Sequence, residues 1–580
     1  MRIRKFFFIF SLIFSFSYAI NAQKAVDPSD SFYQDALNWY LKGYVSYLPI
    51  IKPYPVNVII SILQEVTDSN DQKAKEKAEE YLNDFAKFYG ISSQVKLNAK
   101  LKQLENGDIV VAEGDEEKKI KKYQDYEIGT FGLNLFGDYA FSEKLSTSYD
   151  IAFRMNDNTY EFTELLPSYL VESENSRMSG LSFSNSNNDF RFNPNINLFA
   201  GDKRLYGSIG FSKASYGFYE DGSNVLSQES FPAFNSTFSY YGDRVHFMQY
   251  SAILAGRNEF DEDLSRLNKF FFLRSVEFLF FQGKLSLSYY ESAVSSINFL
   301  PFNFLPLPTL IMNAFVEQEQ NAFAGLGITL RPLPCIAITG DVYVDDIEIQ
   351  EIFKRNFNQS AARLAFKSGF IYSPYNSMCS NIVADYTLVT PYTFTSDCET
   401  DGYNVRDYTN FTLGMASKLP PNSDMISLKV NFEPIKGFTV GTKTAFMRHA
   451  NSYEDLTESE VLALFKNAEN IPCSDGSIRM TEKECETAVT TTNFLTQDHV
   501  MYVIQAGING GYKFKIKNLI DLTFSGEYTF EYIRDDGVNK NIYTSSYLTE
   551  EEVQNAKSLW KKSLHASYNH YFSLFMKISY

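Results

Sequence analysis

The sequence predicts a mainly β fold: a transmembrane antiparallel β-barrel of about 18 strands with an N-terminal α-helical bundle. Three observations carry this expectation. From His565 to Tyr580 the even positions read Ala566, Tyr568, His570, Phe572, Leu574, Met576, Ile578 and Tyr580, whereas the odd positions are mostly polar. A period of two puts the two sets on opposite faces of a strand. Beyond the first 22 residues there is no run of about 18 apolar residues, which excludes a helical membrane protein. A mean hydropathy of -0.24 fits a chain in which only alternate residues face lipid. Finally, 39 Tyr and 52 Phe stand against only 2 Trp, an aromatic excess suited to girdles at two membrane interfaces.

At the start of the chain, Arg2, Arg4 and Lys5 precede an apolar stretch from Phe6 to Phe16, followed by small-residue cleavage sequences ending at Ala19 or Ala22. Residues 1–22 therefore have the form of a secretory signal peptide, and the apolar stretch is short for a membrane anchor. Residues 23–104 are expected to form a periplasmic helical bundle. Asp30 to Leu41 is amphipathic. Pro53 and Pro55 introduce a second helix with Val56, Ile59, Ile60 and Leu63 on one face. A third helix, from about Ser69 to Tyr89, repeats Ala74, Ala78, Tyr81, Leu82, Phe85 and Phe88 at helical spacing, with Gly90 as its stop. Gln94 to Leu104 is expected to extend the bundle. Residues 105–122, acidic and then basic, read as a charged linker.

From residue 123 to residue 580 the period is two. Val500–Phe514 and Ile520–Tyr532 are long enough to cross a bilayer at a tilt, which takes about 9–11 residues. At roughly 25 residues per strand and turn, the segment holds about 18 strands. Lys515-Ile516-Lys517-Asn518 is a tight turn, whereas 450–498 and 533–561 are long. Ending the last strand at the periplasmic rim makes both long segments extracellular, with the helical bundle on the opposite side. Thr457-x-x-Glu460, Thr481-x-x-Glu484 and Thr549-x-x-Glu552 mark helix starts within them. A final aromatic residue on the apolar face of a long strand resembles the terminus of bacterial outer-membrane barrels, which is read by barrel-assembly machinery.

The net charge of -17 argues against nucleic acid as a partner. His246, His449, His499, His565 and His570 are scattered without metal spacing, and neither a GxSxG nor a Walker loop occurs, so no enzyme, metal or cofactor is expected. Five cysteines are too few for a disulfide-built fold. Cys473 and Cys485 bracket one polar segment and are disulfide candidates; Cys379 and Cys398 bracket another. Carboxylates and aromatics of a polar lumen suit sugars, through stacking and hydrogen bonds to hydroxyls. They equally suit a water-filled channel or a plain solvated wall.

Residues 231–347 go beyond a generic barrel pattern. Phe231-Pro232-Ala233-Phe234-Asn235 is followed by Arg274 with Glu277 and Phe278, then Leu285 to Glu291, Phe299-Leu300-Pro301-Phe302, Gln320-Asn321-Ala322 and Asp341 to Ile347, including Asp345-Asp346. This order resembles the capsule-assembly protein Wzi family, as does Pro421-Asn422-Ser423-Asp424. Near Gly207, Gly210 and Gly217 the chain departs from the family, which carries a Gly-Pro-Gly segment early in the barrel. The resemblance implies a monomeric outer-membrane barrel, bathed in outer-membrane lipid, that attaches surface polysaccharide. It also implies Glu291, Asn321, Asp345 and Asp346 as ligand-binding lumen or wall positions. The alternative is a porin or substrate-specific channel.

Overall fold

The structure, a computed structural model, describes residues 23–580 apart from 24, 86–88, 106, 114–115, 143, 157–180, 185–188, 203, 220–222, 229, 231, 255–268, 297–319, 347–362, 376, 392, 395–407, 411–412, 417–418, 460, 463–493, 517–519, 541 and 544–548. Eighteen strands close into an antiparallel barrel. They are β1 (Tyr89–Leu104), β2 (Tyr123–Ser142), β3 (Leu145–Asn156), β4 (Asp189–Asp202), β5 (Leu205–Ser212), β6 (Ala233–Tyr241), β7 (Val245–Leu254), β8 (Lys269–Phe280), β9 (Leu285–Ser296), β10 (Gln320–Leu330), β11 (Ile336–Asp346), β12 (Arg363–Tyr372), β13 (Cys379–Val389), β14 (Ser423–Ile435), β15 (Phe438–Ala450), β16 (Val500–Ile516), β17 (Ile520–Asp536) and β18 (His565–Ser579). Each strand pairs with the next in sequence. The ring closes where β18 pairs with β1, from Ser92 opposite Ser579 to Leu104 opposite Ser567. Closure leaves the sheet without an open edge.

Alternation decides which face meets which solvent. On β18 the residues Phe572 and Leu574 are exposed, whereas Ser567 and Asn569 are buried in the interior. The same contrast recurs around the ring: Leu97, Ile209, Leu326, Ile426 and Ile508 point outward and are exposed. An uninterrupted exposed apolar belt would be unstable in water, and it matches the lipid-facing band of a membrane barrel. Aromatic pairs stand on this face; His570 belongs to them, its Nδ1 lying 2.9 Å from the Tyr528 hydroxyl.

The connections alternate in length. At one end of the barrel, two to six residues separate β2 from β3, β4 from β5, β6 from β7, β8 from β9, β10 from β11, β12 from β13, β14 from β15 and β16 from β17, and the longer separations fall at the other end. The last strand runs toward the short-turn end. Among the described residues, three helices precede the barrel: α1 (Ser31–Leu41), α2 (Val56–Thr67) and α3 (Gln72–Phe85). The Asp30 side chain caps α1 by accepting from the Phe32 N–H, and Pro55 takes the N-cap position of α2. Almost every residue of α1 from Phe32 to Leu41 is buried, whereas α3 buries only Ala74 and Ala78. The short-turn mouth of the barrel surrounds α1, where the Asn381 side chain donates to Asn38 (3.1 Å), and α3 covers it from outside through Lys77 and Tyr81, which donate to Asp35 (2.8 and 2.7 Å).

Two boundaries differ from expectation. Residues 89–104 form β1, not a continuation of the bundle, so the barrel begins before residue 123. Gln94, Lys96, Asn98, Lys100 and Lys102 alternate with Val95, Leu97, Ala99 and Leu101, and this polar–apolar period outweighs the helical pattern that ends at Phe85. Gly90 is a seam residue rather than a helix stop: a Cβ there would collide with the Phe136 ring and stand 3.0 Å from the Tyr580 carbonyl. Residues 105–122, expected as a linker, form the first long connection, in which Ile109–Glu113 pairs with Glu116–Ile120. The β-branched run Ile109-Val110-Val111 favours that hairpin over solvated coil. A fourth helix, α4 (Glu550–Ser563), starts in a capping box formed by Thr549 and Glu552 and buries Val553 and Trp560. At Thr457 a helical turn begins, with the Val461 N–H donating to its carbonyl (3.0 Å); Thr481 lies outside the described residues.

Replacing the outward Leu574, which is 62% exposed, by Arg is expected to destabilise the barrel by about 2–4 kcal/mol. Urea unfolding of protein folded into lipid vesicles measures this, and a loss below about 0.5 kcal/mol would mean that the face does not meet hydrocarbon.

Candidate functional site

Protein enters the lumen from both ends. At the short-turn end the N-terminal segment is tied round the circumference. The Gln23 N–H donates to Ser146 Oγ (2.9 Å), and Asn195 Nδ2 donates to the Ala25 carbonyl (3.3 Å). The Tyr40 hydroxyl donates to the Gly283 carbonyl (2.7 Å), while Arg331 donates to the Tyr40 carbonyl (2.5 Å) and lies over its ring. The Tyr375 hydroxyl donates to the Lys42 carbonyl (2.7 Å). Between α1 and α2, the Tyr47 hydroxyl donates to Glu277 (2.7 Å), and its ring lies against His246, itself 3.3 Å from the same carboxylate. On the far side Lys73 pairs with Glu433 (3.1 Å), and Glu80 pairs with Lys513 (3.4 Å) and Lys515 (3.5 Å).

From the long-loop end, the connection between β5 and β6 descends into the barrel. Its Ser215–Tyr216 pairs with Ile51–Lys52 of the N-terminal segment, and the Gly217 N–H donates to the Ile50 carbonyl (2.8 Å). Gly217 has φ +87°, a conformation that suits glycine. A second insert joins above it. Tyr408 donates to the Val225 carbonyl (2.6 Å) and meets the Tyr343 hydroxyl at 3.0 Å. Phe323 stacks on Tyr343 with centroids 5.1 Å apart, and Phe394 and Tyr408 complete the cluster. The helical plug and the inserts thus meet in the middle.

The four family-matched positions do not converge. Asp345 is at the long-loop end of β11 on the inward parity, and its Oδ2 accepts the Phe394 N–H (2.8 Å), anchoring the second insert. Asn321 shares that inward parity with Phe323 on β10. Glu291 does not: it follows Leu285, Leu287 and Tyr289 on the outward parity, directly opposite Arg274, and both are buried. It is a wall residue neutralised across the strand pair, since a buried carboxylate needs a partner. Asp346 stands opposite Arg363 beyond a register shift. Cys473 and Cys485 lie outside the described residues, as does Cys398. Cys379 is a free thiol at the short-turn end of β13, and Cys335 is free and buried.

At the long-loop rim, Glu454 gathers contacts that no motif revealed. It accepts the His499 N–H (3.0 Å), touches His499 Nδ1 (2.5 Å) and lies 3.4 Å from Lys561 of α4. Ser423 Oγ and His449 Nδ1 are 2.8 Å apart, the spacing of a nucleophile and its base. Ser423 has no exposed surface, so a substrate has no approach to it, and the contact fastens β14 to β15 beneath the rim.

Among the described residues, a cavity of about 360 Å³ lies inside. It lies between the start of α1 and the inner faces of β14 to β17, with Lys52, Phe218, Tyr219, Lys429, Lys443 and Glu527 among its walls. Its residues come from sequence-distant elements, and only inward parity could have singled out the two strand lysines.

No protein-family model and no curated protein sequence matches the chain. Among solved structures, Wzi, an Escherichia coli outer-membrane protein involved in group 1 capsule assembly and described as a carbohydrate-binding β-barrel, aligns with 95% of this chain and 99% of its own at 11% identity and a TM-score of 0.50. The fold is that of Wzi. The Pseudomonas aeruginosa barrels OccK8 (OprE) and OpdQ each align with 85% of this chain, over 98% and 97% of their own lengths, at 10% identity with TM-scores of 0.40 and 0.36.

The Glu80 latch has a definite pH dependence. Burial alone would raise its carboxyl, but the ammonium groups of Lys513 and Lys515 outweigh burial and hold it below its ordinary value of 4.5. A depressed carboxyl contributes stability that is complete above the unfolded value and lost as pH falls through the folded one. Limited proteolysis of α3 should therefore accelerate below about pH 4.5, and Glu80→Gln should flatten that part of the profile. An unchanged profile in the variant would show that Glu80 does not hold the helix.

Proposed function

We propose that the chain is an outer-membrane barrel, with no catalytic role, that binds or anchors surface polysaccharide at the cell surface. The observation that carries this is the meeting of plug and inserts in the lumen: Ile51–Lys52 paired with Ser215–Tyr216, under the Tyr343, Phe323, Phe394 and Tyr408 cluster. A conduit needs a continuous polar path, whereas here α1 and stacked aromatic rings occupy the axis. The likeness of fold to a carbohydrate-binding barrel supports the same conclusion. Short turns and helical plug lie at the periplasmic end, and α4 with the Glu454 cluster faces outward. Partners are then lipid around the apolar belt, assembly machinery at the terminal strand and glycan at the outer loops, served by a single chain.

Two measurements test this. In planar bilayers the full protein should give no large stable channels, and removing residues 23–85 should raise conductance at least about tenfold by emptying the short-turn mouth. Large open channels in the intact protein would overturn the proposal in favour of a porin. Cells lacking the protein should shed surface polysaccharide into the medium while making the same total amount; unchanged retention would sink the anchoring role.

A further inference from the structure

Gln23 joins the barrel wall to α2. Its N–H donates to Ser146 Oγ on β3 (2.9 Å), and the Ser146 hydroxyl lies 3.3 Å from the Gln23 carbonyl. Its side-chain Oε1 accepts the Asn57 N–H (3.3 Å). Asn57 is in the first turn of α2, and that end of the helix needs an outside acceptor. Pro55 occupies the N-cap position and supplies no side-chain hydrogen bond. A residue 34 positions earlier in the chain therefore does the capping, through its amide oxygen.

The same residue follows the second of the two cleavage sequences, Ile20-Asn21-Ala22. Cutting there turns the Gln23 nitrogen into a primary amine. Such an amine has an ordinary pKa of about 7.7–8.0, so at neutral pH it is mostly an ammonium. It then stands beside the end of α2 whose free N–H groups form the positive pole of the helix dipole, where a cation is disfavoured. Glutamine carries its own remedy. The amine and the side-chain amide belong to one residue, and a five-membered ring brings them together without a second molecule.

We propose that the chain is cut after Ala22 and that Gln23 then closes to pyroglutamate. This inference rests on the reading of residues 1–22 as a signal peptide and is independent of any glycan role. The uncharged amine attacks Cδ; the N–Cδ bond forms and the Cδ–Nε2 bond breaks. The amine proton passes to the departing nitrogen, which leaves as ammonia, so no oxidant or co-substrate is consumed. The lactam carries no charge, and the clash with the helix dipole is gone. It keeps one N–H, the group that donates to Ser146, and the former Oε1 as a carbonyl, the group that accepts from Asn57. The atom that the ring loses, Nε2, takes part in neither contact. The plug then begins in a neutral, blocked end seated between β3 and α2.

The test is mass spectrometry of the protein made with its own leader and extracted from membranes. Amines are blocked by reductive methylation at the moment of lysis, so that later cyclisation does not count. The N-terminal peptide should begin at residue 23, be one ammonia lighter than its sequence and carry no methyl group on its terminal nitrogen. A methylated Gln23 amine, or a chain beginning at Ile20, would overturn the proposal; a chain still beginning at Met1 would sink the leader reading as well. The variant Q23A cannot close the ring and should keep a charged amine beside α2. Its proteolysis within residues 23–67, relative to the wild type, should rise about two- to fivefold between about pH 9 and about pH 6, the interval in which the amine takes up its proton. Loss of the Asn57 contact alone would give the same ratio at both values, and that result would overturn the charge relief on which the ring closure is argued. Should Q23A be cut elsewhere or fail to fold, the wild-type terminus decides alone.

Discussion

Everything in this molecule depends on the seam between its first and last strands. Hydrocarbon offers no partners to backbone N–H and C=O groups, so a sheet can lie in it only if every edge is paired. The seam supplies the last of those pairings, down to the reciprocal bonds between Ile91 and Tyr580 (2.9 and 3.3 Å). Gly90 allows the two backbones to approach there. Once the ring is closed, strict alternation follows, because each side chain has only lipid or lumen to choose between. The wide aliphatic and aromatic exterior and the polar, charged interior are two results of that one constraint.

Much of the exterior was legible in the sequence for this reason. β16, β17 and β18 display the period of two over long spans, and the count of strands follows from their spacing. The Thr549–Glu552 capping box forms as its spacing requires. β1 was harder to recognise. Its apolar positions include the weak Ser93 and Ala99, and the helical pattern of Tyr81, Leu82 and Phe85 runs straight into it. Gly90 then looks like a helix stop, because glycine suits a close backbone approach as well as a cap. Glu291 carries the opposite lesson. Its parity with Leu285 and Leu287 already places it outward, and the short motif around it conceals that.

The interior was legible only as polar. Which residues meet there is decided by register and by where the plug seats, and neither is a local property. Tyr47 meets Glu277 across 230 residues of sequence, and Lys429 meets Lys443 only because a tight turn fixes their pairing. A barrel this wide leaves space that water or protein must fill. Here α1 and two descending segments fill most of it, so buried charges such as Glu277 are met by hydroxyl and imidazole partners instead of solvent.

The pairing of Ile51–Lys52 with Ser215–Tyr216 has a consequence for the order of events in the chain's history. The plug lies immediately before β1, and the segment it pairs with lies between β5 and β6, a quarter of the way round the wall. Contacts so distant in sequence are slow to form, because the long intervening loop must be closed first. A completed, hollow ring would have to admit the plug through one mouth and the descending segment through the other, and then let them find each other inside. The route with fewer obstructions wraps the growing sheet round its own N-terminal helices, with the seam closing last over a lumen that is already full.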